Sequence, residues 1–501
     1  MNNEQSNLFE FLYPKYKITK KIRLIEFFGG YGSQAMALKY LGIPFEHWKL
    51  CEWAVKSIQA YKDIHMTNDN KDYSKELDEK EIKEYLFNKG ISSNYNEPMS
   101  EQQINRLSEK QVRTIYNNII ATHNLVNIQQ VKGKDLDIVD KDKYDYILCY
   151  SFPCQDLSLA GKGKGMSDTS TRSGMLWEVE RILTECNELG TLPQILLMEN
   201  VPQVHGTDNV KDFNKWQLRL EELGYKNYWQ DLIATDYGIP QTRNRCFMVS
   251  ILGDYSYTFP KPVPLKLKLK DMLEDDVDEK YYLSDKQIES LENGTYNASK
   301  PSIKLQITDK GLCQTLDTMS GGNRQPLIRI KNATSKGYLE ATDGDGVDIS
   351  SRMQHHRGNV QKDKIQTLTT SGGNDRGVVV ETLKRDLCNK LIQDKLVEER
   401  DVVKHSYTQQ ILDGNKKCVE KNDGNMITLT THGDCVGITV KDDIGNLRIR
   451  KLTPKECFRL MGVKDEDFEK CAKNLSDSSL YHLAGDSIVV NCLCAIFQQL
   501  L

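Results

Sequence analysis

The chain lacks the marks of several protein classes. No run approaches the roughly 18 consecutive apolar residues of a membrane span. The polar start MNNEQSN has no basic-then-apolar signal pattern, so an intracellular, cytoplasmic protein with no membrane partner is the expectation. The 13 cysteines are an odd number, spread from Cys51 to Cys494 without paired C-x-x-C clusters. That pattern argues against a disulfide framework or a zinc site and for reduced thiols, mostly buried as small hydrophobes. A charge excess is missing too: the formal net charge is -4, so global charge gives no argument for a nucleic-acid partner. The local exception is residues 300–385, where 14 Lys and Arg stand against 9 Asp and Glu.

What is present fits a folded protein of more than one core. Hydrophobic residues at 39% and charged residues at 28% sit near globular averages. A length of 501 residues exceeds one ordinary core and predicts two domains, or one with large insertions. Lys21 to Phe28 reads as a buried strand that runs into Gly29-Gly30-Tyr31-Gly32-Ser33 and then a helix from Gln34 to Tyr40. Strand, glycine turn and helix open a doubly wound sheet. Apolar runs recur at 146–150, 194–198 and 246–251, with helical spacing at 176–189 and 213–223 between them, which gives a βαβ alternation.

Two segments break that alternation. Residues 66–130 are rich in Glu, Lys, Asn and Gln, with helical spacing at Ile104, Leu107, Val112 and Ile115, and predict a mostly helical insertion without a chemical motif. The proline cluster Phe259-Pro260-Lys261-Pro262-Val263-Pro264 continues neither helix nor central strand and sets a boundary near 252–264. Beyond it a weak repeat recurs: Cys313 to Asn323, Ile365 to Asn374 and Met426 to Asp434 each run from a β-prone Thr/Leu stretch into a glycine turn. Three hairpins are the expectation, each returning on an apolar strand such as Val378-Val379-Val380. Near the end, Thr453-Pro454 with Glu456 predicts a helix start with a capping box, and Ser487 to Cys492 a buried helix or strand.

One ordered trio carries chemistry. Ser151-Phe152-Pro153-Cys154-Gln155 follows a buried strand, Met198-Glu199-Asn200-Val201 ends the next one, and Gln241-Thr242-Arg243-Asn244-Arg245 precedes a third. A free thiol has a pKa of about 8.5, so Cys154 needs an activated target. A neighbouring carboxyl and two guanidinium groups are suited to activate an electron-poor ring.

With these motifs in this order the chain resembles the cytosine-C5 methyltransferases that use S-adenosylmethionine, over residues 22–62, 135–251 and 450–501. The resemblance implies a Rossmann-like α/β sheet with helices on both faces, completed by the C-terminal segment. It assigns residues 1–252 and 476–501 to a catalytic domain and 253–475 to a smaller β-rich target-recognition domain. Cys154 attacks C6 of a flipped cytosine in duplex DNA, Glu199 shares a proton with N3, and Arg243 and Arg245 meet the cytosine oxygen and the catalytic loop. The cofactor is met by Phe28 and Trp53 at the adenine, Gly30 and Gly32 in the turn, Glu52 at the ribose, Asp135 (or Asp137) at the adenine amino group, Pro153, Leu176 and Asp486. At Asp486 the family usually has Asn, and an ionised Asp accepts but does not donate. Gly161 to Gly174 corresponds to a lid over the DNA. In the hairpin turns Asn323, Arg324, Asn374 and Arg376 are candidates for reading bases, and a cognate restriction endonuclease is a possible partner. A tRNA-directed relative and a catalytically silent regulator are the competing readings; the large hairpin region and the intact Cys154, Glu199, Arg243 and Arg245 favour the DNA enzyme.

Overall fold

A computed structural model describes residues 13–153, 173–281 and 452–501, together with strands between 328 and 451. The chain divides into two compact units, Met1–Ile239 with Arg243–Leu265 and Phe458–Leu501, and Pro240–Thr242 with Lys266–Cys457.

The first unit is built on a six-stranded sheet in the order β2-β1-β3-β4-β6-β5. Its strands are β1 (Lys21–Phe27), β2 (Phe45–Cys51), β3 (Tyr144–Tyr150), β4 (Ile195–Asn200), β5 (Tyr225–Ile233) and β6 (Asn244–Leu252). The first four run parallel, and β6 is antiparallel to both β4 and β5. Strands β1, β3 and β4 are buried nearly throughout because helices cover both faces, as at the centre of a parallel sheet. One face, with Phe27, Leu148, Tyr150 and Met198, joins α6 (Leu176–Glu188) and α7 (Val210–Glu222) in one core. On the other face Glu26 accepts from the Ala35 N–H in α1 (Ser33–Tyr40) at 3.2 Å.

Between β2 and β3 the polar sequence folds on its own core. After α2 (Val55–His65) come α3 (Glu79–Lys89), α4 (Glu101–Asn105) and α5 (Glu109–Ala121). Each of these three opens in a capping box, Asp78 with Glu81, Ser100 with Gln103 and Ser108 with Gln111. Ile82, Leu86, Ile104, Val112 and Ile119 supply the apolar stripes that cover Ile58 of α2. The chain then rejoins the sheet through a short segment in which Leu50 bridges Asn124 in parallel.

Helix α8 (Pro454–Arg459) begins as its residues demand: the Thr453 N–H donates to Glu456 Oε2 at 2.8 Å and the Glu456 N–H to Thr453 Oγ1 at 3.2 Å. Helices α9 (Asp465–Ala472), α10 (Asp477–Asp486) and α11 (Val490–Gln498) follow. The Ser487–Cys492 run is therefore a helix entry, and Cys494 of α11 contacts the Ala37 carbonyl of α1 at 3.7 Å. The expectation that no segment has the length and apolarity of a membrane span needs correcting. The stretch Asp477–Gln498 qualifies by length and composition, and 72% of its apolar window is buried inside the unit, as in a core helix.

In the second unit the described strands are β7 (Ile328–Lys331), β8 (Tyr338–Ala341), β9 (Gly346–Asp348), β10 (Asn359–Gln361), β11 (Val378–Thr382) and β12 (Leu447–Lys451), with further two-residue pairs. A four-stranded sheet has the order β10-β9-β11-β12. Here β11 pairs with β12 along one edge and, at Val378 and Val379, with β9 along the other; the Thr/Leu runs and glycine turns of the three expected hairpins lie outside the described residues. The turns bearing Asn323, Arg324, Asn374 and Arg376 lie outside the described residues.

Candidate active site

Topology gathers the motif residues at one edge. Strands β1, β3 and β4 end there, and β6, running the other way, starts there, with Asn200 paired to Cys246 and Glu199 to Phe247. Ligands in open α/β sheets sit at this carboxyl edge. A cavity of about 430 Å³ occupies it, lined by Phe28, Gly30, Glu52, Trp53, Pro153, Glu199, Arg243, Arg245 and Asp486 among others.

The glycine turn shows what each position contributes. Phe28 closes β1 in the left-handed region, φ 57°, held by its N–H donating to the Cys51 carbonyl at 2.8 Å. Such a conformation in a non-glycine residue is costly and persists where its surroundings enforce it. Gly30 has φ +55°, and a Cβ there would meet nothing within 4 Å, so its backbone faces open space. Gly32, at φ +83°, does not line the cavity; a Cβ would fall 2.5 Å from His65 Nε2 and 2.7 Å from Tyr61, so this glycine serves the packing of α2 on the turn.

Glu52 sits just beyond β2 and is fixed through both oxygens. Oε2 accepts from the Gly30 N–H at 3.0 Å and Oε1 from the Ala54 N–H at 2.8 Å. Burial pushes its pKa up to about 7 against the pull of those amides. Asn124 braces the same turn, accepting from the Glu52 N–H at 3.0 Å and donating to the Glu52 carbonyl at 2.9 Å.

In the same lining, Glu199 is 7% exposed and lies 3.1 Å from Arg245 Nε. Burial raises its pKa, and the Arg245 and Arg243 charges oppose the rise. Arg243, 3% exposed, donates from Nη2 to the Gly485 carbonyl at 3.1 Å and the Ser487 carbonyl at 2.6 Å, which ties the start of β6 to the end of α10. Asn200 Nδ2 donates to the Phe152 carbonyl at 3.0 Å and so fixes the backbone directly before Pro153. Cys154 and residues 155–172, with most of the expected lid, lie outside the described residues.

Besides Gly32, two expected cofactor contacts lie outside the lining, the acid at Asp135 (or Asp137) and Leu176. The Asp135 carboxylate accepts from the Lys132 N–H at 2.9 Å in a one-turn cap, and Asp137 pairs with Lys49 at 2.6 Å. Neither lines the cavity; Asn127, Ile128 and Gln129, which follow the Asn124 bridge, do. Leu176 is fully buried in the sheet core, and its neighbour Met175 reaches the cavity instead. Tyr95 and Asn96 of the helical insertion also line it. Asp486 is half-exposed and pairs with His482 at 3.1 Å. The described cysteines are all free; Cys51, Cys149, Cys186, Cys246, Cys457, Cys471 and Cys492 are buried, and Cys494 is half-buried. His205, Asp231 and Cys246 bring one ligand atom each within 4.8 Å of one another, but His205 Nε2 already bonds Asp231 Oδ1 at 2.9 Å.

The mixed sheet with its reversed β6, the glycine turn and the acid beyond β2 define a Rossmann-like methyltransferase fold. Residues 87–501 match the family C-5 cytosine-specific DNA methylase. Among named relatives, the type II methyltransferase M2.ScrFI of Lactococcus lactis subsp. cremoris is 28% identical over 96% of this chain and 99% of its own. The orphan methyltransferase M.SssI of Spiroplasma monobiae is 33% identical over 72% of this chain and 82% of its own. The type II methyltransferase M.NlaX of Neisseria lactamica is 40% identical over 30% and 46%. The chain belongs to the C-5 cytosine-specific DNA methylase family, and its activity class is that of a DNA (cytosine-5-)-methyltransferase.

Proposed function

We propose that the chain methylates C5 of cytosine within a specific duplex DNA sequence, using S-adenosylmethionine and a covalent bond from Cys154 to C6 of a flipped base. The observation that carries this reading is one cavity lined by Glu52 and Phe28, by Glu199, Arg243 and Arg245, and by Pro153, the residue before Cys154. The lining fits the cofactor: the open backbone at Gly30, the aromatic Phe28 and Trp53, and a Glu52 carboxylate oriented by two amides suit a nucleoside with free ribose hydroxyls. Bound there, the cofactor supplies an electrophilic methyl group on sulfonium sulfur for C5 to take.

The protein's part is to make C5 a nucleophile. The Cys154 thiolate adds to C6 and pushes electrons toward N3, and Glu199 gives or shares its proton there as that charge forms. Burial keeps the Glu199 proton available nearer neutral pH, and Arg245 at 3.1 Å holds the carboxyl in place. Arg243 and Arg245 add fixed positive charge beside the cytosine oxygen. After methylation water takes the C5 proton, the C–H electron pair re-forms the C5–C6 double bond as the C6–S bond breaks and the thiolate departs, and the N3 proton returns to Glu199. Extrusion of the base costs a few kcal/mol, offset by contacts in the pocket.

The region 253–475 serves as target-recognition domain in this reading, with Asn323, Arg324, Asn374 and Arg376 as the base-reading candidates. A restriction endonuclease partner agrees with the type II names among the relatives and is not required by the orphan name. The test is incubation with labelled S-adenosylmethionine and either duplex DNA or tRNA, followed by mapping of 5-methylcytosine. Label in one DNA sequence context and none in tRNA is expected; label in tRNA alone overturns the DNA reading.

A further inference from the structure

The helical insertion reaches the cavity at one loop, and that loop is clamped. Just past Glu52, the Ser92 N–H donates to the Trp53 carbonyl at 2.8 Å and the Val55 N–H to the Ser92 carbonyl at 2.9 Å, a parallel bridge that sews the loop to the end of β2. Ser92 Oγ donates to the Glu97 carbonyl at 2.7 Å, and Asn94 Oδ1 accepts from the N–H groups of Asn96 at 2.9 Å and Glu97 at 3.2 Å. Between these bonds Tyr95 is held at φ 63°, left-handed and not a glycine. Its ring lies 3.8 Å, centroid to centroid, from that of His482, whose Nε2 pairs with Asp486 Oδ2 at 3.1 Å.

Tyr95 thus lines the same cavity as two acids from distant parts of the chain, Glu52 beyond β2 and Asp486 at the end of α10. Burial raises its phenol pKa, and the Glu52 and Asp486 carboxylates add to the rise. This strained aromatic lines the cavity and takes no part in the core of α3 to α5, where the insertion's own apolar residues meet without it. Strain of this kind collects at ligand clamps.

We propose that Tyr95, braced by His482, is a binding residue contributed by the insertion: a wall that packs on the nucleoside portion of S-adenosylmethionine held at Glu52 and keeps it in the cavity. The inference rests on the reading that this cavity takes that cofactor.

The test is equilibrium binding of S-adenosylmethionine to the full chain by calorimetry, with steady-state kinetics on DNA. Tyr95→Ala is expected to weaken binding and raise KM for the cofactor about tenfold, as truncation of a buried aromatic contact does, with kcat at saturating cofactor and DNA affinity unchanged. Tyr95→Phe keeps the ring and stays near wild type, whereas His482→Ala removes the brace and weakens binding in the same direction. Tyr116→Ala is the control for a loosened insertion, since Tyr116 packs on Tyr85 at 4.9 Å and does not line the cavity; it lowers Tm and leaves cofactor affinity intact. Equal affinity of wild type and Tyr95→Ala, or equal weakening by Tyr116→Ala, overturns the inference. A wild-type chain that fails to bind S-adenosylmethionine overturns the prior reading of the cavity instead.

Discussion

Replacing Glu199 by Gln isolates the proton that the proposed chemistry needs. The amide keeps the shape of the side chain and an oxygen for Arg245 Nε, now at 3.1 Å from the carboxylate. It has no proton to give N3. Two stability effects oppose each other: the neutral amide removes the burial penalty that raises the Glu199 pKa, and it weakens the pair with Arg245. The net stability change is expected to stay within about 1 to 2 kcal/mol, small beside the 3 to 5 kcal/mol of stripping a buried pair of one partner. The chemical step loses its general acid, a group worth roughly 10² to 10⁴ in rate. A loss of about 10³ corresponds to about 4 kcal/mol of barrier. Single-turnover transfer of labelled methyl to DNA reads this directly, and calorimetry shows whether cofactor binding survives. In the wild type, transfer should slow as pH rises through the raised Glu199 pKa, because the carboxyl then arrives ionised; in Glu199→Gln that limb should vanish. A variant that folds, binds cofactor and transfers methyl within about fivefold of wild type refutes the role, since that leaves only about 1 kcal/mol for the proton.

Two further outcomes follow from the geometry. Gly32→Ala forces a side chain into left-handed backbone with Cβ 2.5 Å from His65 Nε2, and should cost about 2 to 4 kcal/mol in urea unfolding. Gly30→Ala, at φ +55° with open space around it, should cost only about 1 kcal/mol yet weaken cofactor binding, because the new methyl group enters the cavity. Glu26 and Glu52 are both pushed up to about 7 from an ordinary 4.5, so between those values the folded chain holds protons that the unfolded chain has released. Stability should therefore fall as pH rises from about 5 through 7, by up to about 1.4 kcal/mol per pH unit for each group. Glu26→Gln should flatten that slope by one group, measured as urea midpoints across pH; an unchanged slope contradicts the burial argument.

The legible parts of the site were those in which a short motif terminates a strong strand. Phe28, Glu199 and Arg243 could be read because apolar runs announce β1, β4 and β6, and the turns beside them then reach one edge. Asn127 was hidden because it follows a segment joined to β2 by one bridge at Asn124, too short for period-two patterning to register. Asp135 stood in a charged stretch that looked like a ligand loop and is a one-turn cap. Leu176 missed the cavity by one residue, within the ordinary blur of a helix start. Tyr95 carried no motif at all: its loop is positioned by backbone bonds from Ser92 to Trp53 and Val55, partners distant in sequence. The partners of β11, Leu447–Lys451 and Gly346–Asp348, were not legible because strand partners are chosen by burial and register across the whole sheet.

The proposed chemistry turns on a covalent bond from Cys154 to C6 of the target cytosine. Duplex DNA carrying 5-fluorocytosine at the target site tests it most directly, because carbon-bound fluorine cannot leave as a proton does and the final elimination stalls. With S-adenosylmethionine present, the wild-type chain should form a denaturant-stable complex with one DNA strand, with the attachment mapped to Cys154, and Cys154→Ser should form none. Methyl transfer without any such complex, or a complex that persists in Cys154→Ser, contradicts the account.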